Sequence, residues 1–434
     1  MDRSYERGVP SRRGLLAGAA ASAVSAAWAC AHAAVPKTQR ILLRSGWQTI
    51  NIGDIAHTPG MLHLLERHVP GVEVWLCPSR VDDGVSEMLA ARFPRVRILD
   101  RERDLAEAFA ACDFLLHGSG PFLVAAKDVR AWRETTGKPY GIYGITLDPS
   151  FLPDGATSTR PPDQALSEMI NLLSAAAFVF FRDTASLAVA KEKGCTCQVM
   201  DFGPDAAFAT DLRADAAAER VLAAHDLEPG RFLCCIPRYR YTPYWRLPGR
   251  EQAADPMRHA RNEEFKEHDH APHRQAIVRV IRETGMKVLI CPEDRTQMEI
   301  GREMLLEPLP EDVKRDVVWR PDFWLPDEAL STYVRSAGLF GNEMHSPIMA
   351  VGNGVPAVVC RWREQTNKGL MWRDIGLGDW LFDMDDATDV ARVVPTVLAM
   401  ATNRDEAREK VRAARRLVEK RQRETMETLR GCLN

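Results

Sequence analysis

From residue 40 onward, short apolar runs alternate with longer segments whose apolar residues recur at helical spacing. The runs predict strands at 40–43, 72–77, 96–99, 114–117, 139–144, 177–181 and 198–200. The segments between them predict helices at 60–68, 84–93, 104–112 and 184–193. A strand buried on both faces reads as a continuous apolar run, whereas a helix on a sheet shows apolar residues every three or four positions. After a polar link at 210–217, a second series predicts strands at 232–236, 287–291, 317–319, 337–340 and 357–360. Its helices fall at 275–284, 296–305 and 327–335. Strand and helix alternating at this spacing predict an α/β fold with parallel sheets covered on both faces. The chain then divides into two doubly wound, Rossmann-like domains, 40–212 and 213–389, facing one another across a cleft, with a helical tail at 390–434.

Two stretches interrupt the rhythm. Residues 239–273 follow a strand and hold Tyr239, Tyr241, Tyr244, Trp245, several arginines and the trio His268, His270 and His273; they read as a long loop. Gly341-Asn-Glu-Met-His-Ser-Pro-Ile-Met-Ala-Val-Gly-Asn-Gly-Val-Pro356 reads as strand end, tight turn, short helix and glycine stop. Ser346 and Pro347 are good helix-starting residues, and Gly352 and Gly354 good stopping ones. His345 falls at that turn, beside a helix start and at the edge of a sheet, where open α/β folds bind ligands.

The N-terminus departs from the α/β pattern. Ser11-Arg12-Arg13-Gly14-Leu15-Leu16 carries a twin arginine, an Ala-rich apolar stretch runs over 15–29, and Ala31-His32-Ala33 offers a small-residue cleavage site. Residues 1–33 therefore read as a twin-arginine-type export signal, which predicts a periplasmic or cell-envelope location; a retained anchor is the alternative.

At 434 residues the chain exceeds one ordinary core, and 45% hydrophobic with 27% charged residues is a soluble composition. A net charge of −3 argues against a general nucleic-acid or membrane-surface binder. Most of the ten cysteines sit in or beside strand-like runs, where cysteine behaves as a small hydrophobe. Cys195-Thr-Cys197 lacks a second pair, and the His268–His273 trio lies on what reads as a surface loop, so no metal site is assigned.

Candidate chemistry collects at strand ends. Asn51-Ile-Gly53-Asp54 follows the first strand; it serves either as polar groups over a cleft or as a turn and helix cap. Gly118-Ser119-Gly120 is a glycine turn past another strand, without any dinucleotide or Walker pattern, and no cofactor is expected. Arg182 stands where a strand meets a helix, either to pair with an anionic ligand or to satisfy a local turn with Asp183. Arg238 repeats the placement in the second domain. With Lys368 on a later loop, the three make a clamp for phosphate and carboxylate.

Taken in order, these motifs resemble the polysaccharide pyruvyl transferase family over about residues 40–400. Asn51-Ile-Gly-Asp54 resembles its N-terminal glycine–aspartate loop, and Gly118-Ser-Gly120 its first glycine turn. Arg182-Asp-x-x-Ser186, Gly203-Pro-Asp205-Ala-Ala-Phe208, and Met344-His345-Ser with Gly354-Val-Pro356 are similar to later elements. The resemblance implies two Rossmann-like halves of the GT-B kind. It also implies transfer of a pyruvyl group from phosphoenolpyruvate to a glycan acceptor as a cyclic ketal. His345, near neutral pKa, is then the general acid, and Arg182, Arg238 and Lys368 bind the donor. Asn51, Asp54, Ser119, Ser346, Tyr241 and Trp245 complete the expected substrate-binding set, with the aromatic residues offering stacking faces to a sugar. Two departures stand out. Glu343 occupies the place of the family's usual arginine, and Ile-Ala-His57-Thr-Pro follows Asp54 in place of an acidic continuation. They keep two other readings open, a glycosyltransferase with a different donor and a non-catalytic glycan-binding protein. Oligomeric state is not legible.

Overall fold

The computed structural model describes residues 38–148, 162–247 and 253–433. The export-signal reading of residues 1–33 lies outside them. The described chain forms one compact unit from Thr38 onward, built on two all-parallel sheets. The first holds β1 (Arg40–Arg44), β2 (Glu73–Cys77), β3 (Arg97–Ile98), β4 (Phe114–His117), β5 (Tyr140–Ile145), β6 (Phe178–Phe181) and β7 (Met200–Phe202). The second holds β8 (Phe232–Ile236), β9 (Lys287–Ile290), β10 (Val317–Trp319), β11 (Gly338–Gly341), β12 (Ala357–Arg361) and β13 (Leu381–Asp383).

The first sheet runs β3-β2-β1-β4-β5-β6-β7 and the second β10-β9-β8-β11-β12-β13. Each therefore carries the doubly wound order 3-2-1-4-5-6, the first with a seventh strand added. Strand order reverses between β1 and β4 in one sheet and between β8 and β11 in the other. Side chains leaving the carboxyl ends of those strands project into the crevices where such folds bind ligands.

Every predicted strand is present; β13 was not anticipated, being three residues without an extended apolar run. The helices deviate more. Helix Ile52–His68 begins eight residues before the expected 60. Its first turns are buried nearly all round, so no amphipathic stripe marks them. The segment 239–273 is only in part a loop, because helix Pro256–Thr284 takes up its second half, capped by Asp255. Its last stretch is the helix expected at 275–284; a largely polar surface and an internal Pro272 hide the part before it from pattern reading.

Helix Ala387–Thr402 packs on Pro256–Thr284, whereas Arg404–Leu433 returns to meet Ile52–His68, the His345 helix and β6. All described cysteines are free thiols, and all but Cys432 are buried. Among the described residues, no helix is long and apolar enough to cross a membrane.

Candidate active site

A cleft of about 610 Å³ opens where the two switch points meet. The first lobe contributes Gln48, Asn51, Asp54, Thr146 and Arg182 to its wall, the second Arg238, Tyr241, Tyr244, His345 and Lys368. Two other hollows, of about 390 and 400 Å³, hold none of the candidate residues. The cleft is the candidate site.

His345 is the first residue of helix His345–Gly352, on the turn after β11. Ser346 is not the cap expected of it. Its backbone N–H instead donates to Glu293 Oε2 at 2.6 Å, and its hydroxyl accepts from Tyr333 at 3.2 Å. The His345 ring is 5% exposed, and neither ring nitrogen has a hydrogen-bond partner among the described residues. Nδ1 lies 3.5 Å from Glu293 Oε1. Burial, then the nearby His57 and Lys368, drive its pKa well below the ordinary histidine value, with Asp205 opposing. The near-neutral pKa expected of His345 is therefore corrected downward, which favours the uncharged ring.

His57 supplies a second imidazole. It sits one helical turn beyond Asn51-Ile-Gly-Asp54, its ring 4.8 Å from that of His345 in an edge-to-face arrangement. Nδ1 lies 2.9 Å from Asp205 Oδ1 and 2.8 Å from Ser119 Oγ, while Nε2 has no hydrogen-bond partner among the described residues and lies 4.0 Å from Asp54 Oδ1. His57, Asp205 and His345 could in principle hold a metal, their donor atoms lying within 4.8 Å of one another. Asp205, however, already accepts from His57, Ser119 Oγ and the Ala207 N–H on one oxygen, and from Arg182 on the other. Oδ1, the oxygen nearest His57, is already crowded by three donors, and the arrangement is a hydrogen-bonded Asp–His dyad. Burial would raise Asp205, but His57 and Arg182 overcome it and hold the carboxylate ionised.

The three clamp cations converge, each on a carboxylate. Arg182 donates from Nη1 to Asp205 at 3.0 Å and from Nε to Thr146 at 2.6 Å. Arg238 and Lys368 both bind Glu343, Lys368 at 3.0 Å, and Gln297 adds a bond at 2.7 Å. Glu343 is 1% exposed; burial disfavours its charge, but Arg238 and Lys368 win and bring its pKa to about 2. Glu343 thus occupies the place of the family's arginine as a fixed anion, which two cations neutralise from the cleft side. Even so, six cations (Arg182, Arg238, Arg240, Arg258, Arg363 and Lys368) line the cleft against two carboxylates, Asp54 and Glu364.

The loop presenting Lys368 is held by Arg361, which donates to the carbonyls of Thr366 at 2.6 Å and Lys368 at 3.1 Å. Those bonds support Thr366 at φ 55°, a left-handed conformation that a β-branched residue rarely adopts.

The remaining candidates separate. Asn51 lines the cleft, but its Oδ1 caps the helix, accepting from the Gly53 and Asp54 N–H groups at 2.7 and 3.2 Å. Asp54 faces the cleft, its pKa raised by burial against the pull of His57 and Lys368. Tyr241 is on the wall. Ser119 and Ser346 are fully buried behind it, and Trp245 is off it, with Tyr244 in its place. His270 and His273 are buried struts on a helix, not parts of a surface loop. His270 accepts from the Arg238 N–H at 3.3 Å, and His273 bonds Asn342 at 2.9 Å. Sequence reasoning missed Glu293, His57 and the dyad role of Asp205. The available signals were an acidic pair directly past β9 and a histidine within an apolar helix start.

Two Rossmann-ordered sheets joined at a cation-lined cleft define a two-lobed α/β fold of the GT-B kind. The polysaccharide pyruvyl transferase family model matches residues 51–364, and the chain belongs to that family. Similar solved structures share the architecture. Anabaena HepE in complex with UDP-glucose is 9% identical over 90% of this chain and 99% of its own, with a TM-score of 0.55. A UDP-glucosyltransferase from Polygonum tinctorium is 10% identical over 91% and 98%, TM-score 0.53. UDP-GlcNAc 2-epimerase from Neisseria meningitidis is 9% identical over 90% and 99%, TM-score 0.51. At these identities the likeness is one of fold. No curated protein matches the sequence.

Proposed function

We propose that this protein transfers a pyruvyl group from phosphoenolpyruvate to two hydroxyls of a glycan, forming a cyclic ketal and releasing phosphate. One observation carries the reading. His345, Arg182, Arg238 and Lys368 come from four loops and both lobes, yet border a single cleft. The donor bears a carboxylate and a phosphate, which need cations. Its methylene carbon must take a proton before the adjacent carbon becomes electrophilic, and His345 is the group placed to deliver it. Tyr241 and Tyr244 offer aromatic faces to the acceptor sugar. With residues 1–33 read as an export signal, the acceptor is a cell-envelope or secreted glycan.

Phosphate release from phosphoenolpyruvate over a panel of sugars, for wild type and His345→Ala, tests the proposal. Turnover by wild type that His345→Ala abolishes supports it. Equal turnover by both removes His345 as the acid.

Glu343 favours a second reading. By pairing with Arg238 and Lys368 it uses charge that a dianionic donor needs, which suits a different donor or glycan binding without transfer. Tight glycan binding with no phosphate release from any acceptor would select it.

A further inference from the structure

Two orphaned atoms face one another in the floor of the cleft. Glu293 Oε1 and His345 Nδ1 are both buried, neither has a hydrogen-bond partner among the described residues, and they are 3.5 Å apart. A buried polar atom left unpaired is costly, and a proton shared between these two would satisfy both with a small side-chain rotation. Glu293 is positioned for this from two sides. Its backbone carbonyl accepts from the Ile52 N–H of the opposite lobe at 2.8 Å, and its Oε2 accepts from the Ser346 N–H at 2.6 Å. Oε1 is left for the ring.

We propose that Glu293 holds a proton in the resting site and passes it to His345 Nδ1 as His345 Nε2 gives its own proton to the donor. The step rests on the pyruvyl-transfer reading above; the location of the resting proton does not. With Glu293 O–H donating to Nδ1, the neutral ring carries its hydrogen on Nε2. The π electrons of the donor double bond take that proton, a methyl C–H bond forms, and the adjacent carbon becomes the electrophile. The electrons of the broken N–H bond stay on Nε2. Nδ1 binds the Glu293 proton, and the O–H electrons remain on the carboxylate. His345 ends neutral as the other tautomer, so the step never requires the buried imidazolium that the site disfavours. The first acceptor hydroxyl adds to that carbon, the donor's C–O bond to phosphate then breaks with its electron pair leaving on the phosphate oxygen, and the second hydroxyl adds in its place; each hydroxyl loses a proton as its C–O bond forms. One proton recharges the pair, and the other leaves with the phosphate.

The surroundings agree. Burial, then the fixed charge of Glu343, pushes the Glu293 carboxyl up to about 8, against Lys368 and the Ser346 N–H. His345 is pressed the other way by burial, His57, Lys368 and Arg182, with Asp205 alone opposing. Tyr333 beside Glu293, and Asp294 with Arg238 beside Glu343, complete the titratable neighbourhood. With the carboxyl raised and the imidazole lowered, a proton placed between the two rests on the carboxyl. Glu293 is thereby a positioning residue that acts through His345.

Infrared difference spectroscopy of the whole protein, wild type against Glu293→Gln, reads the resting proton without any substrate. A carboxylic-acid C=O stretch at neutral pH that fades as pH rises through about 8 and is missing from Glu293→Gln is the expected result. Absence of that band from wild type overturns the proposal. Should Glu293→Gln not fold, 15N-histidine NMR of wild type answers the same question. His345 with Nδ1 as acceptor and Nε2 protonated supports the pair, and the reverse tautomer overturns it. In turnover, Glu293→Gln should lower kcat by about 100-fold with KM little changed and flatten the alkaline limb of the pH profile. Unchanged kcat overturns the relay. A wild-type band with no turnover of phosphoenolpyruvate keeps the proton on Glu293 and sinks pyruvyl transfer.

Discussion

Gly53 and His345 touch across the two lobes: a Cβ built on Gly53 would lie 2.3 Å from His345 Cβ. The absence of a side chain at Gly53 is therefore what admits the His345 ring. Gly53→Ala should displace His345 or part the lobes, destabilising the protein by about 1–3 kcal/mol through overpacking. Turnover should fall at least tenfold, because misplacing a reacting group costs rate steeply. Urea unfolding and phosphate release check the two effects separately; a variant as active and as stable as wild type would show the contact to be soft.

Glu343→Gln leaves Arg238 and Lys368 without their carboxylate. Both cations reach the cleft, where solvent and ligand can compensate, so the expected loss is smaller than the roughly 3–5 kcal/mol of a fully buried broken pair. Phosphoenolpyruvate binding should tighten by about tenfold, read by titration calorimetry. Weaker binding would mean that Glu343 organises the cations productively rather than occupying them.

Stability should peak in mildly acidic solution. Glu343 is depressed from 4.5 to about 2, so its contribution, on the order of 3 kcal/mol, is full above pH 4.5 and lost as pH falls through about 2. Glu293 is raised from 4.5 to about 8 and Asp294 from 3.8 to about 6, both chiefly by burial. Their contributions are full below those ordinary values and disappear as pH rises through the folded ones. Urea midpoints should therefore decline between about pH 5 and pH 9, and the decline should be shallower in Glu293→Gln. A flat wild-type profile would contradict both raised carboxyls.

Tyr241 borders the cleft and Trp245 does not. Tyr241→Ala should raise the acceptor KM by about tenfold, the worth of one stacking contact, while Trp245→Ala leaves it within about twofold. The opposite ranking would put the sugar on another wall.

Legibility from sequence followed the physics of each element. The strands are continuous apolar runs because both faces of each sheet are covered, and their chemistry shows without any partner being known. His345 was legible for a related reason: turn, helix start and glycine stop surround it in one contiguous stretch. Glu293 was not, since Cys291-Pro-Glu-Asp294 reads as an ordinary polar turn until the His345 helix is placed over it. The pairings of Glu343 with Arg238 and Lys368, and of Asp205 with His57, span from 25 to 148 residues of chain. No local pattern encodes contacts at that range. Helix Pro256–Thr284 shows in the sequence only over 275–284; the polar surface of its earlier part hides the rest, and its buried His270 and His273 therefore read as loop residues.

The last helix, Arg404–Leu433, puts Val411, Ala414 and Val418 into the core of the second lobe and Met426 and Leu429 into that of the first. It works as a splint. Any swing that widened the cleft would have to draw apolar side chains out of one core or the other, so the mouth is set during folding rather than by ligand. A ligand then meets a cleft whose opening both cores already constrain, and its fit depends on shape more than on closure.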